Sequence, residues 1–117
     1  MTARQLRALR LARLVGAAAI VAAAFHHGRL AAAGVGDVTR HEVFVGLDLA
    51  LAALLALRPR WALAPTIALT LQQSWSHGAD LVASLQGPGP IDTSSALVIV
   101  FFPALVALLI VERGAGR

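Results

Sequence analysis

Four histidines and four of the six carboxylates are spread through a largely apolar chain: His26, His27, His41 and His77, and Glu42, Asp48, Asp80 and Asp92. Imidazole and carboxylate are the side chains that take up and release protons within reach of neutral pH, so their placement is the first clue to chemistry. On a helix, His41 and Asp48 stand seven residues apart and project in nearly the same direction, two turns from each other. Thr66, Thr70, Gln73, His77, Asp80 and Ser84 recur at intervals of three and four, which sets them along one stripe of a helix. Asp48 interrupts an apolar run. A carboxylate in that setting either works for a living by holding a proton or ligand, or closes the fold through an ion pair with a histidine or arginine.

These groups need elements to carry them, and composition says which. With 58% hydrophobic and 14% charged residues and a mean hydropathy of +0.76, the 117-residue chain is too apolar for an ordinary soluble domain. Four apolar segments fit membrane spans at approximately 9–28, 42–57, 61–84 and 91–111. They leave room for one membrane domain over 1–117 and nothing else, an all-α integral membrane four-helix bundle. An arginine-flanked first segment followed by Ala31-Ala32-Ala33 also fits a cleaved secretory signal, but retention as a span is the expectation. The loop from Arg29 to Arg40 holds the turn-formers Gly34, Gly36 and Asp37. Arg58-Pro59-Arg60 reads as a tight turn, Pro65 as a kink, and Gly87-Pro88-Gly89-Pro90 as a break.

Charge fixes the expected orientation. Arg4, Arg7, Arg10, Arg13, Arg58, Arg60, Arg113 and Arg117 all fall on one side of a four-span chain, and only Arg29 and Arg40 on the other. The positive-inside rule then puts both termini in the cytoplasm of a bacterium, with the chain in the inner membrane. The net charge of +4 and isoelectric point near 11.6 belong to arginines reaching for the headgroups of the lipid bilayer, not to nucleic acid. An absence of cysteine excludes disulfides, thiolate metal sites and any thiol relay within the chain.

Depth sharpens the picture. Asp48 lies about 9 Å along the helix from Glu42, and Gln73 about 18 Å from Trp61, so the two share a level in the bundle. The outer half collects His26, His27, His41, Glu42, Asp48, Gln72, Gln73, His77, Asp80, Asp92 and Thr93, whereas the inner half holds little polar beyond the arginine fringe. An outward-facing polar pocket lined by His26 or His27, Asp48, Gln73 and His77 is the expected consequence. Four imidazoles with neighbouring carboxylates suit a metal or bis-histidine haem in principle. No compact ligand motif or Glu-x-x-His pair is present, so neither is expected. Ser74, Ser76, Ser94 and Ser95 lack nucleophile-elbow spacing, and the glycines make no phosphate loop.

The run Glu42-Val43-Phe44-Val45-Gly46-Leu47-Asp48-Leu49, with Leu57-Arg58 and His77 after it, resembles the DoxX-like family of small four-helix membrane proteins over residues 41–81. The first helix departs from that pattern, ending in Phe25-His26-His27-Gly28-Arg29 where the family has a glycine-and-lysine patch. The resemblance implies a redox-associated membrane subunit that binds quinone or partners a redox enzyme, with Glu42, Asp48 and His77 in that role. Two other functions suit the residues. One is a proton-coupled or small-solute transporter acting as a homo-oligomer, in which His26, His27, His41, Asp48, Gln73, His77 and Asp80 relay protons or hold the solute. The other is a membrane enzyme acting on a lipid-like substrate.

Overall fold

A computed structural model describes residues 1–116. It contains four helices, α1 (Ala3–Ala32), α2 (Val38–Leu57), α3 (Pro59–Gln86) and α4 (Thr93–Ala115), and no strand among the described residues. Each helix begins or ends for an identifiable reason. Thr2 and Gln5 exchange side-chain and backbone hydrogen bonds in a capping box that starts α1. At its far end the Val35 amide donates to the Leu30 carbonyl and the Gly34 amide to that of Ala31, while Gly34 sits at φ +66°. This Schellman closure needs the left-handed geometry that glycine adopts without a steric cost. Asp37 caps α2 through the Arg40 amide, and Asp92 caps α4 through that of Ser95.

The helices outgrow the expected spans at most ends. The loop expected over Arg29–Arg40 shrinks to Ala33–Asp37, because the helix-favouring Leu30, Ala31 and Ala32 continue α1 until Gly34 stops it. Of the expected turn Arg58-Pro59-Arg60, only Arg58 leaves helical geometry; Pro59 is already the first residue of α3, where its missing N–H is no loss. Both α3 and α4 run through their internal prolines, Pro65 and Pro103. Ile91 and Asp92, expected inside the fourth span, precede α4. Arg117, counted with the inner arginines, lies outside the described residues.

Neighbours in sequence are neighbours in space: α1 packs on α2, α3 on α4, and the two hairpins meet more sparsely along α1–α4 and α2–α3. The bundle is elongated, 48 × 30 × 20 Å, which matches a 30-residue α1 at about 1.5 Å per residue. Up-and-down order puts the N-terminus, Arg58 and the C-terminal residues at one end, hereafter the termini end, and the two longer loops at the other, the loop end. Its core joins Ala17, Ile20, Leu51, Ala52, Leu55, Ala62, Phe102, Leu105 and Leu109. A Cβ built on Gly16 would stand 3.1 Å from the Leu105 side chain, so the missing side chain sets how closely α1 approaches α4.

Outside that thin core the helices present large apolar side chains to their surroundings, among them Leu14, Phe25, Leu47, Leu71, Leu97 and Ile110. Two helices, α1 and α4, are long and apolar enough to cross a membrane. In α2, Arg40, Glu42 and Asp48 interrupt the apolar run.

Candidate functional site

The residues singled out from the sequence cluster toward the loop end, but as three groups and not as one. The first joins α1, α2 and α3. His27 and His41 approach with Nδ1 to Nδ1 at 2.9 Å, so one ring donates and the other accepts. Such a pair holds a single shared proton, since two Nδ1–H groups cannot face each other. Phe44 stacks on His27 with ring centroids 5.3 Å apart, and Arg40 lies 5.8 Å above the same Phe44 ring. Arg40 also donates to the Ser76 hydroxyl at 2.7 Å, tying α2 to α3. His26 is exposed beside the pair, its centroid 6.0 Å from that of His27, and Glu42 is exposed on the same turn as His41.

The second set is the two buried polar side chains Asp48, midway along α2, and Gln73, midway along α3, which are 4% and 7% exposed. Among the described residues neither side chain makes a hydrogen bond or an ion pair, while no polar side-chain atom there is sealed from solvent without a partner. The polar atoms of each therefore keep some accessible surface. A carboxyl so placed has hydrogen-bonding capacity to spare.

Third is a chain of three groups across α3 and α4. Ser95, 1% exposed, donates its hydroxyl proton to the Asp92 carboxylate at 2.6 Å. His77 Nδ1 stands 2.9 Å from the same hydroxyl oxygen and donates to it, because the only hydroxyl proton is already committed. The order is His–Ser–Asp with serine in the middle. That arrangement withholds the base from the serine, so it is no nucleophile triad; what it does is leave His77 Nε2 with a lone pair for a proton. Hydrogen bonds from Ser95 and Ser94 hold the Asp92 carboxyl, outside the helix, down at about 2. Asp80 lies on the same stripe of α3 as His77 and is exposed. No three histidine, aspartate or glutamate side chains among the described residues converge in a way that would hold a metal ion.

Among the described residues, two prominent cavities have other linings. One, about 520 Å³, is a shallow groove along one face of α3 around Trp75 and Gly78. The other, about 490 Å³, opens at the termini end between Leu6, Arg10, Pro59, Arg60, Leu109 and Glu112.

At the termini end the structure also differs from the expected arginine fringe. Arg13 is 7% exposed, and its Nε donates to Glu112 at 2.8 Å while Nη1 donates to the Leu55 carbonyl. The cause is local. Leu55 would ordinarily receive a bond from the residue four positions on, and that residue is Pro59, which has no N–H. Arg13 supplies the missing donor and so joins α1, α2 and α4. The signal was present in the sequence, since Glu112 is the one carboxylate at that end and Arg13 the arginine deepest in α1. Thr66, fully buried, returns its hydroxyl to the Ala62 carbonyl at 2.6 Å and needs no other partner.

Comparison with family models, curated proteins and solved structures finds no match to this chain.

Proposed function

We propose that the chain is an integral membrane bundle crossing the inner membrane of a bacterium four times, termini in the cytoplasm, and that it serves as a small redox-associated subunit whose loop end binds a quinone or similar small ligand. The observation that carries this reading is Asp48, buried in the middle of α2 and engaged by neither hydrogen bond nor ion pair among the described residues. A quinone headgroup offers carbonyl acceptors, and a protonated carboxyl, a glutamine amide and an imidazole N–H are the donors that would hold it. The proton supply fits too. His41 stands two turns from Asp48 on one face of α2 and shares a proton with His27. Electrons would come from a partner redox enzyme, and the part of these side chains is to bind, orient and deliver protons. The resemblance of residues 41–81 to the DoxX-like family supports the same assignment. The apolar exterior and the gathering of arginines at the termini end support the topology.

Two measurements test it. Reporters fused after Glu112 and at Arg58 are expected to read cytoplasmic and one at Gly89 external; an external signal at Glu112 removes the topology. In nanodiscs, a short-chain ubiquinone analogue is expected to bind the parent chain and to lose roughly tenfold or more on Asp48→Leu, which keeps similar bulk but removes the donor. Equal binding by parent and variant, or no binding by either, overturns the quinone site. The imidazole contact itself favours one rival, a proton conductor working as a homo-oligomer. That rival predicts pH-driven proton flux in liposomes without any quinone.

A further inference from the structure

The cavity at the termini end lies at the opposite pole from the polar groups just described and plays no part in that reading. Arginines from three helices line it: Arg10 of α1, Arg60 of α3 and Arg113 of α4. None of the three forms an ion pair among the described residues. One carboxylate, Glu112, also lines the space, and it would ordinarily repel an anion; here its charge is taken up by Arg13 at 2.8 Å. Among the described residues the cavity thus carries three positive charges without a carboxylate partner, beside a neutralised pair. A second feature points the same way. The N-terminus of α3 opens on this cavity through Pro59 and Arg60, and its N-cap residue, Arg58, makes no side-chain capping bond. Pro59 carries no N–H and the Trp61 amide donates to the Arg58 carbonyl, so what this end of α3 offers is the positive pole of its dipole, with no side-chain cap to take it up. The C-terminal carbonyls of α4 oppose this, and Arg113, in the last turn, offsets them. Leu6 and Leu109 supply an apolar wall.

We infer that this cavity is a binding site for a phosphate group, held by Arg10, Arg60 and Arg113 and by the uncapped start of α3. Guanidinium forks match phosphate oxygens in pairs, and three of them from different helices specify an anion with several oxygens over a simple halide or carboxylate. At about 490 Å³ the space falls in the usual range for a small-ligand site, about 300–1,000 Å³. The phosphate has two chemical sources, the headgroup of an anionic phospholipid or a soluble phosphate compound, and the protein–phosphate contacts are the same for both.

The test separates them. The full chain is placed in nanodiscs of phosphatidylcholine containing a fraction of phosphatidylglycerol, and retained lipid is read by native mass spectrometry; in parallel, inorganic phosphate is titrated into lipid-free, neutral detergent and followed by ³¹P NMR. Preferential retention of phosphatidylglycerol that falls about tenfold in Arg60→Gln and in Arg113→Gln, but not in Arg4→Gln, assigns the headgroup. Saturable binding of inorganic phosphate with the same variant pattern and no lipid preference assigns a soluble phosphate compound. Arg4 shares the basic end of α1 without lining the cavity, so it reports diffuse attraction to the charge. An Arg4→Gln loss equal to that of Arg60→Gln, or no preference for either probe, overturns the site. Arg10, Arg60 and Arg113 are exposed and engaged in no ion pair among the described residues, so the single variants are expected to fold, with helicity by circular dichroism as the check.

Discussion

Replacing Arg13 with methionine keeps most of the side-chain volume and removes the guanidinium, which isolates what that group contributes. Two partners lose their donor together. Glu112, with 16% of its side chain exposed, is left as a partly buried charge without a counter-charge; stranding one member of a buried pair costs about 3–5 kcal/mol. The remaining exposure lets water and protonation relieve it, so the lower end, about 3 kcal/mol, applies. The Leu55 carbonyl loses its only available donor, since Pro59 cannot replace it, at about 1 kcal/mol or slightly more. A loss of about 4 kcal/mol is a large share of the 5–15 kcal/mol typical of a folded domain, about a quarter to most of it. Equilibrium unfolding of the purified chain in mixed micelles is the assay. Arg13→Met combined with Glu112→Leu is expected to recover most of the loss, leaving the carbonyl cost alone. Arg4→Met is expected to fall within about 0.5 kcal/mol of the parent. If Arg13→Met is as stable as Arg4→Met, Arg13 is an ordinary interfacial arginine and the three-helix tether has no energetic meaning.

Gly16→Val is expected to cost about 1–3 kcal/mol by forcing α1 away from Leu105, whereas Gly16→Ala, which asks Leu105 to yield by a few tenths of an ångström, costs less; the same unfolding titration ranks the two. Asp92 contributes to α4 as a carboxylate held at about 2 by Ser95 and Ser94, below its unfolded value of 3.8. Its stabilisation is therefore complete above the unfolded value and is lost as pH falls from there through about 2. Asp92→Asn keeps the capping oxygen and is expected to flatten that part of a stability–pH profile. Ser95→Ala removes the acceptor of His77 and a donor to Asp92, and a loss of about 1–2 kcal/mol is expected, with a shifted His77 resonance in NMR as the specific sign.

How much of this the sequence revealed depended on whether a signal was local. Gly87-Pro88-Gly89-Pro90 does separate α3 from α4, and Thr66, Gln73 and His77 do turn inward from one stripe of α3, because glycine, proline and helical periodicity act over a few residues. Asp80, on that stripe, is exposed, since periodicity gives direction and not the point at which covering neighbours end. Asp48 was legible as a buried carboxylate for the same reason of context, its neighbours being apolar. The contact of His27 with His41 and the link from His77 through Ser95 to Asp92 were not, because each depends on the rotation of one helix about another. Arg13 shows the limit of counting arginines: the rule weighs charge by side of the membrane and is blind to depth, while the vacancy left by Pro59 at Leu55 had to be followed across three helices to be seen.

The tether made by Arg13 also bears on the order in which the chain is built. Arg13 is synthesised 99 residues ahead of Glu112, and about two-fifths of that interval has emerged when Leu55 appears. Until α4 is almost complete, the first helix holds a cation whose acid partner does not yet exist, and α2 ends in a carbonyl that only α1 can satisfy. The first and last helices are thereby committed to each other by a contact of the longest range, and a chain truncated before Glu112 would carry an arginine deep in α1 with half of its partners missing. The pairing acts as a check on progress: the bundle closes electrically only once Glu112 has been made.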